Sequence, residues 1–111
     1  MSTENSRDFG TFPAINRIDE TLGLRSDQLG DPGITSYTLD LLRDPNKAGK
    51  KFGEEAAEVM MATCGEDVVN AVEGEIADLV YASLVLARSR GKAARLGNVL
   101  DILIARNEEK S

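Results

Sequence analysis

The chain has 111 residues, a length that suits one domain rather than two. A formal net charge of -6 argues against a duplex-DNA binder, and an aromatic content of 5% leaves little surface for stacking the bases of single-stranded DNA or RNA. Histidine is absent and Cys64 is the only cysteine, which excludes a Cys/His zinc site, a Ser-His-Asp triad and an intrachain disulfide.

Residues 1–33 are predicted to form an N-terminal extension that is partly disordered and contains one short helix. Residues 1–10 are polar, and we expect them to be a disordered tail. A helix is predicted from Phe12 to Leu24, because apolar residues recur there at helical spacing and Pro13 suits a first turn. The segment from Arg25 to Thr35 is rich in Gly, Pro, Ser and Asp, which indicates a linker.

Residues 34–111 are predicted to form one all-α domain, since no segment shows the alternation typical of a strand. Asp44 followed by Pro45 is a strong helix start, and Gly65 and Gly91 are helix stops. Four helices are expected, at Ser36–Arg43, Asp44–Cys64, Glu66–Arg90 and Leu96–Asn107. The two long central helices are joined by a tight turn, so the expected fold is an antiparallel helical bundle.

The first long helix carries three acids, Glu54, Glu55 and Glu58, on one flank. At 100° per residue, Glu55 and Glu58 are neighbours on the helix surface. The predicted inward stripe of this helix lies beside them and consists of Phe52, Ala56, Val59 and Thr63. Taken alone, such an acidic run is most often a solvated helix face.

The second long helix is more informative, because Glu75 falls inside its apolar stripe and Asp78 lies on the edge. The stripe consists of Val68, Val72, Leu79 and Leu86. Burying an ionised carboxylate without a partner costs several kcal/mol or more, and like charges nearby add to that cost. Either the acids are protonated or a cation lies among them. A hard ion, Mg²⁺ or Mn²⁺, suits carboxylate ligands from Glu55, Glu58, Glu75 and Asp78.

Three lysines, Lys47, Lys50 and Lys51, precede Glu54 by one to two helical turns. They are candidates for contact with substrate phosphates beside the metal. The alternative is that they form i, i+4 ion pairs such as Lys51 with Glu55, which are worth a few tenths of a kcal/mol. The residues alone leave both readings open.

The stretch from Leu79 to Ala87 is apolar almost all round the helix. A helix without a polar face must be covered on every side. A chain with few helices cannot supply all of that cover, so we expect a homodimer or a higher homo-oligomer. We also expect Cys64 to be a small buried residue at a helix end.

The N-terminal sequence is polar and lacks the apolar core of a signal peptide. No apolar run reaches membrane-spanning length, and a single cysteine fits a reducing compartment. These features predict a cytoplasmic protein with no membrane partner.

The acid pattern resembles the signature of the all-α nucleotide pyrophosphohydrolases, the MazG-like superfamily. That signature reads Glu-Glu-x-x-Glu and, after a spacer, Glu-x-x-Asp, and here it is Glu54-Glu55-x-x-Glu58 and Glu75-x-x-Asp78. Within the superfamily, residues 34–106 look most like phosphoribosyl-ATP pyrophosphohydrolase of histidine biosynthesis. The segments that carry this likeness are Ser36-Tyr37-Thr38, Lys50-Lys51 with Gly53-Glu54-Glu55, and Asp78-Leu79-Val80-Tyr81.

The resemblance implies an oligomeric helical bundle that cleaves between the α- and β-phosphorus with Mg²⁺ as cofactor. It implies that Glu55, Glu58, Glu75 and Asp78 are metal ligands and that Glu54 and Glu55 are the catalytic pair. In that pair Glu54 is a candidate for orienting water or a second metal. It also implies that Lys47, Lys50 and Lys51 are candidates for phosphate contact. The chain departs from the family at Ala82, where a histidine is common, and in residues 92–97. Two alternatives stay open: a house-cleaning nucleoside triphosphate pyrophosphohydrolase, and a non-catalytic helical assembly module.

Overall fold

The computed structural model describes residues 3–65 and 69–110, with side chains from Ala14 onward except that of Asn70. The described residues contain helices and no strand, which confirms the predicted all-α fold. There are five helices: α1 (Thr3–Asp27), α2 (Tyr37–Arg43), α3 (Pro45–Cys64), α4 (Val69–Ser89) and α5 (Leu96–Lys110). Across these ranges no helix combines the length and apolar character needed to cross a bilayer.

The starts of α2 and α3 confirm the sequence prediction. Ser36 caps α2, with its hydroxyl accepting from the backbone N–H of Leu39 at 3.1 Å. Asp44 caps α3, because its Oδ1 accepts from the N–H groups of Asn46 and Lys47, each at 3.2 Å. These bonds satisfy donors that a helix N-terminus otherwise leaves unpaired. Together they place the first turn of α3 directly after the end of α2.

The helix ends also follow from local sequence. Gly65 caps α3 and donates to the carbonyl of Met61 at 3.1 Å. After α4, Gly91 adopts a φ of 81°, and Lys92 donates to the carbonyl of Ala87 at 2.9 Å, which is the closure of a Schellman motif. The predicted α4 start at Glu66 lies outside the described residues. Helix α5 continues past the predicted end at Asn107 to Lys110.

Helix α1 is longer than the sequence suggests, because it begins at Thr3 rather than at Phe12. Residues 3–10, expected to be a disordered tail, are therefore helical. Apolar spacing reports burial, so it gives no signal for a helical turn whose residues are polar. Further along, Leu22 is fully buried and Asp19 accepts from the N–H of Leu96 at 2.7 Å. Those contacts join α1 to the rest of the bundle.

The core lies where α2 meets α1, α3 and α4. Its buried residues are Leu22, Leu39, Leu41, Leu42, Ala48, Leu84 and Val85. Helices α3 and α4 pack along each other as the most extensive helix pair. This packing holds the acid-bearing segments of the two long helices side by side.

The buried face of α3 is rotated from the predicted stripe. Its buried residues are Ala48, Glu55 and Ala62, whereas Thr63 is exposed, so the prediction that Thr63 faces inward is wrong. The prediction centred the face on larger apolar side chains, but the buried positions are Ala48, Glu55 and Ala62, spaced seven residues apart. Small alanine side chains permit close packing of a neighbouring helix. As a result Glu55 is at the centre of the buried face. Cys64, expected to be buried, is exposed.

Candidate active site

A cavity of about 480 Å³, here named the acid cavity, lies between α2, α3 and α4. This volume is within the range of about 300–1,000 Å³ that is usual for small-molecule sites. One part of its wall is apolar, from Leu41, Ala82 and Val85. The remainder is ionisable or aromatic and comes from Tyr37, Lys51, Glu55, Glu58, Asp78 and Tyr81. The cavity therefore has one apolar wall and, facing the same space, a group of charged side chains.

Glu55 is the most deeply placed acid of this cavity, with only 5% of its surface exposed. Burial raises the pKa of its carboxyl group, because desolvation disfavours the charged form. Hydrogen bonding with Glu58 and repulsion from Glu58 and Asp78 raise this pKa further, while Lys51 lowers it. The Glu55 carboxylate is thus held where its negative charge is poorly compensated by the protein.

Lys51 stands beside Glu55 one helical turn earlier. Its Nζ is 3.6 Å from Oε1 of Glu55 and 5.9 Å from the centre of the Tyr37 ring. Tyr37 and Glu55 raise the pKa of the Lys51 ammonium group, so this group is firmly positive. The i, i+4 ion pair between Lys51 and Glu55, which was the alternative interpretation of this lysine, is therefore present. Lys51 nevertheless lines the acid cavity and remains available to an anion there.

Lys51 also lines a neighbouring depression of about 180 Å³, here named the lysine hollow. This hollow shares Tyr37, Leu41 and Lys51 with the acid cavity and adds Lys47, Lys50 and Glu54. All three predicted phosphate-contact lysines therefore lie around one depression. Glu54, predicted beside Glu55 in the catalytic pair, faces this hollow rather than the acid cavity.

Three of the four predicted metal ligands, Glu55, Glu58 and Asp78, line the acid cavity, and Glu75 does not. Glu75 is half-buried, and its Oε2 atom is buried with no hydrogen-bond partner in the described structure. As the described side chains lie, no three Asp, Glu or Cys groups converge closely enough to form a ready-made ion site.

The donor set nevertheless fits a hard cation. A buried carboxylate oxygen without a partner carries the full penalty of desolvation, and a bound cation removes that penalty. Glu75 has such an oxygen, and Glu55 is a buried carboxyl group with two acids beside it. Both helices therefore present oxygen ligands whose charge the protein itself leaves incompletely balanced.

Tyr37 and Tyr81 were part of the family likeness, but no role was predicted for them from the sequence. Tyr37 covers Lys51, and the hydroxyl of Tyr81 is 3.0 Å from that of Thr38. The Tyr81–Thr38 hydrogen bond joins α4 to α2 across the cavity wall. A usable signal was that the chain has only two tyrosines and that both lie in segments that carry the family likeness.

The chain matches the sequence model of a family described as phosphoribosyl-ATP pyrophosphohydrolase over residues 18–107, a match that includes part of α1. A phosphoribosyl-ATP pyrophosphatase of Caulobacter sp. (strain K31) is 40% identical over 95 residues, covering 86% of this chain and 83% of that protein.

A histidine biosynthesis bifunctional protein HisIE of Synechocystis sp. is 43% identical over 74 residues, which is 66% of this chain and 34% of that protein. The HisIE protein of Bacillus subtilis is 34% identical over 99 residues, which is 88% of this chain and 44% of that protein. The chain thus spans between a third and a half of the length of these bifunctional relatives. No solved structure gives a significant match.

Proposed function

The chain belongs to the phosphoribosyl-ATP pyrophosphohydrolase family, and on that premise we propose that it hydrolyses phosphoribosyl-ATP to phosphoribosyl-AMP and pyrophosphate in histidine biosynthesis. The observation that carries this proposal is the burial of Glu55 in a cavity that also contains Glu58, Asp78 and Lys51. A solvated acidic face, as expected of a non-catalytic assembly module, would not bury a carboxyl group among other acids.

We propose Mg²⁺, or Mn²⁺ in its place, as the cofactor, held by Glu55, Glu58, Glu75 and Asp78. Support comes from the unpartnered Oε2 of Glu75 and from the acids that surround Glu55. The chemistry that such an ion supplies when bound is neutralisation of charge on the phosphates and on the leaving pyrophosphate.

The protein's own residues would bind and orient the substrate. Lys47, Lys50 and Lys51 surround a hollow that can take the pyrophosphate part, and Tyr37 and Glu55 keep the Lys51 ammonium group at its border. Glu54, whose exposed carboxylate lies at the same hollow, is our candidate for orienting water or for holding a second metal ion. The apolar wall of Leu41, Ala82 and Val85 excludes bulk water from one side of the reacting phosphates.

The test is release of pyrophosphate from phosphoribosyl-ATP, compared with release from a panel of nucleoside triphosphates. We expect the wild-type chain to prefer phosphoribosyl-ATP and to require Mg²⁺. Glu75→Gln and Asp78→Asn should each reduce kcat/KM by about a hundredfold, as is usual when electrostatic stabilisation of a transition state is removed. The control is Glu73→Gln, which neutralises an exposed acid on the same helix as Glu75.

Wild-type rates in both variants would refute the site. A preference for a free nucleoside triphosphate would favour the house-cleaning alternative. Absence of hydrolysis, with melting temperatures that do not respond to Mg²⁺ or Mn²⁺, would favour an assembly module.

We further propose that the protein works as a homo-oligomer in the cytoplasm. Large apolar side chains remain exposed on α4 and α5, among them Ile76, Val80, Ile102 and Leu103. A second copy would cover such surfaces, and a lone exposed thiol at Cys64 suits a reducing compartment. Light scattering at micromolar concentration tests the assembly, and a monomeric mass would refute it.

A further inference from the structure

A third depression, here named the arginine hollow, adjoins the acid cavity at Tyr81. Its volume is about 300 Å³. Besides Tyr81 it is lined by four residues that share one face of α1, at spacings of three and four positions: Ala14, Arg17, Ile18 and Thr21. The N-terminal helix therefore contributes a wall to a depression that shares Tyr81 with the acid cavity.

Arg17 gives this hollow its charge. Its side chain is exposed and forms neither an ion pair nor a hydrogen bond with any other side chain in the described part of the chain. Thr21 supplies a hydroxyl group, and the other α1 residues of the wall are apolar. A guanidinium group presents a planar fork of donors that matches phosphate oxygens. A small apolar depression with one free arginine suits an organic group that ends in a phosphate.

The three depressions occur in a definite order. The lysine hollow and the arginine hollow share no lining residue, but each shares lining residues with the acid cavity. The acid cavity therefore lies between two cationic hollows, one formed by α2 and α3 and the other by α1 and α4. A ligand that fits this order has anionic groups at both ends and a reacting bond between them.

Phosphoribosyl-ATP has this form, since it bears a triphosphate at one end and a phosphorylated ribose at the other. Cleavage between the α- and β-phosphorus divides it into pyrophosphate and a nucleotide that retains the distal phosphate. An ordinary nucleoside triphosphate carries no phosphate at the end opposite its triphosphate, so a cation at that end of the site would have no anionic group to bind.

We propose that the arginine hollow binds the phosphoribosyl end of the substrate, with Arg17 contacting its phosphate, while the lysine hollow receives the pyrophosphate end. This assignment rests on the proposed function and makes Arg17 a specificity-determining residue. Tyr81 forms the wall between the acid cavity and the arginine hollow, and the hydrogen bond to Thr38 fixes its ring in place. Helix α1 thereby becomes part of the substrate site.

Product inhibition separates the two ends. In the full-length chain we would measure the inhibition constants of phosphoribosyl-AMP and of pyrophosphate, together with kcat and KM for phosphoribosyl-ATP. For Arg17→Ala we expect about a tenfold rise in the inhibition constant of phosphoribosyl-AMP and in KM, the size expected for one lost charge-assisted contact. The inhibition constant of pyrophosphate and kcat should stay within about twofold of wild type, because the lost contact is remote from the cleaved bond.

Two matched variants control for charge and geometry. Arg90→Ala removes one exposed positive charge just after the C-terminus of α4, outside all three depressions, and should leave all four constants unchanged. Arg17→Lys keeps the positive charge but loses the planar pair of guanidinium donors, so it should bind phosphoribosyl-AMP more weakly than wild type and more tightly than Arg17→Ala. Equal melting temperatures of wild type and Arg17→Ala would confirm that the change is local.

The outcomes distinguish this assignment from the proposed function. Hydrolysis of phosphoribosyl-ATP by wild type, with unchanged inhibition by phosphoribosyl-AMP in Arg17→Ala, overturns the role of Arg17 and leaves the activity standing. Weaker inhibition by pyrophosphate in Arg17→Ala overturns the orientation. A wild-type chain that releases no pyrophosphate from phosphoribosyl-ATP overturns the proposed function and this assignment with it.

Discussion

Two buried carboxyl groups, Asp19 on α1 and Glu55 on α3, have opposite surroundings. Asp19 accepts hydrogen bonds from the backbone N–H groups of Leu96 at 2.7 Å and Gly97 at 3.2 Å, at the start of α5, and Arg95 lies at 4.0 Å. Glu55 has one lysine at 3.6 Å and two further acids nearby.

The difference separates a carboxylate that is satisfied by the fold from one whose charge the protein leaves incompletely balanced. At the α1–α5 junction the Asp19 carboxylate is matched by donors at a helix N-terminus, where the macrodipole also favours an anion. In the acid cavity Lys51 offsets only part of the negative charge around Glu55, and a proton or a bound cation would offset more of it. Substitutions at the two positions should therefore act on different properties.

The largest expected effect is on activity at Glu55. Glu55→Gln keeps the shape of the side chain and removes its charge, so we expect kcat/KM to fall by about a hundredfold, equivalent to about 2.7 kcal/mol of transition-state stabilisation. Melting temperature in EDTA should be unchanged or higher, because an unfavourably buried charge is lost. Steady-state kinetics and thermal melts check both parts. Full activity in this variant would mean that the charge of Glu55 is not needed for catalysis, and that Glu55 does not differ from Asp19 in function.

The second effect is on stability at Asp19. Asp19→Ala removes two charge-assisted hydrogen bonds from the start of α5, so the free energy of unfolding should fall by about 2 kcal/mol. Urea denaturation measures this change, with Glu20→Ala as the control at an exposed neighbouring position. Turnover per folded molecule should stay near wild type. A loss of turnover without a loss of stability would place Asp19 in the site instead.

The Asp19 contact also shows which features were predictable from sequence. Asp44 before Pro45, Gly65 and Gly91 act on their own helix ends, so short-range pattern was sufficient for α2 and α3 and for the end of α4. Asp19 meets Leu96 across 77 positions of sequence, and no local pattern indicates such a pair.

In the candidate site, too, some features were predictable from local sequence and others were not. The acids of each long helix were visible as a local pattern, and Glu55, Glu58 and Asp78 line one cavity. Which of the acids is buried was not predictable, because the buried face of α3 follows Ala48 and Ala62 rather than its larger apolar residues. The depression between α1 and Tyr81 was not predicted, since it depends on the packing of helices that are distant in sequence.

A third, smaller effect is the pH dependence of stability. The pKa of Glu55 is raised in the native state above its usual value of 4.5, by burial first and then by Glu58 and Asp78. Above pH 4.5 the unfolded chain therefore loses this proton before the native chain does. The free energy of unfolding should therefore fall as pH rises through this window and level off once Glu55 has also lost its proton in the native chain.

The measurement is urea denaturation in EDTA across that window, with Glu55→Gln as the control. The glutamine variant has no proton to exchange at this position, so the part of the slope that comes from Glu55 should be missing. Identical slopes in wild type and variant would contradict the raised pKa of Glu55. Saturating Mg²⁺ should also flatten the wild-type slope, because a bound cation favours the charged carboxylate in the native state.

The smallest effect separates stability from function within a single residue. Glu75 has a buried carboxylate oxygen without a partner, so Glu75→Gln should raise the free energy of unfolding in EDTA by about 0.5 kcal/mol, because it removes an unbalanced charge. The exposed control, Glu73→Gln, should change it by less. A destabilisation by Glu75→Gln would mean that this carboxylate, like that of Asp19, is already satisfied by the protein. A small gain in stability together with the hundredfold loss of activity expected above would mean that the fold tolerates an unfavourable charge at this position for the sake of the ligand it binds.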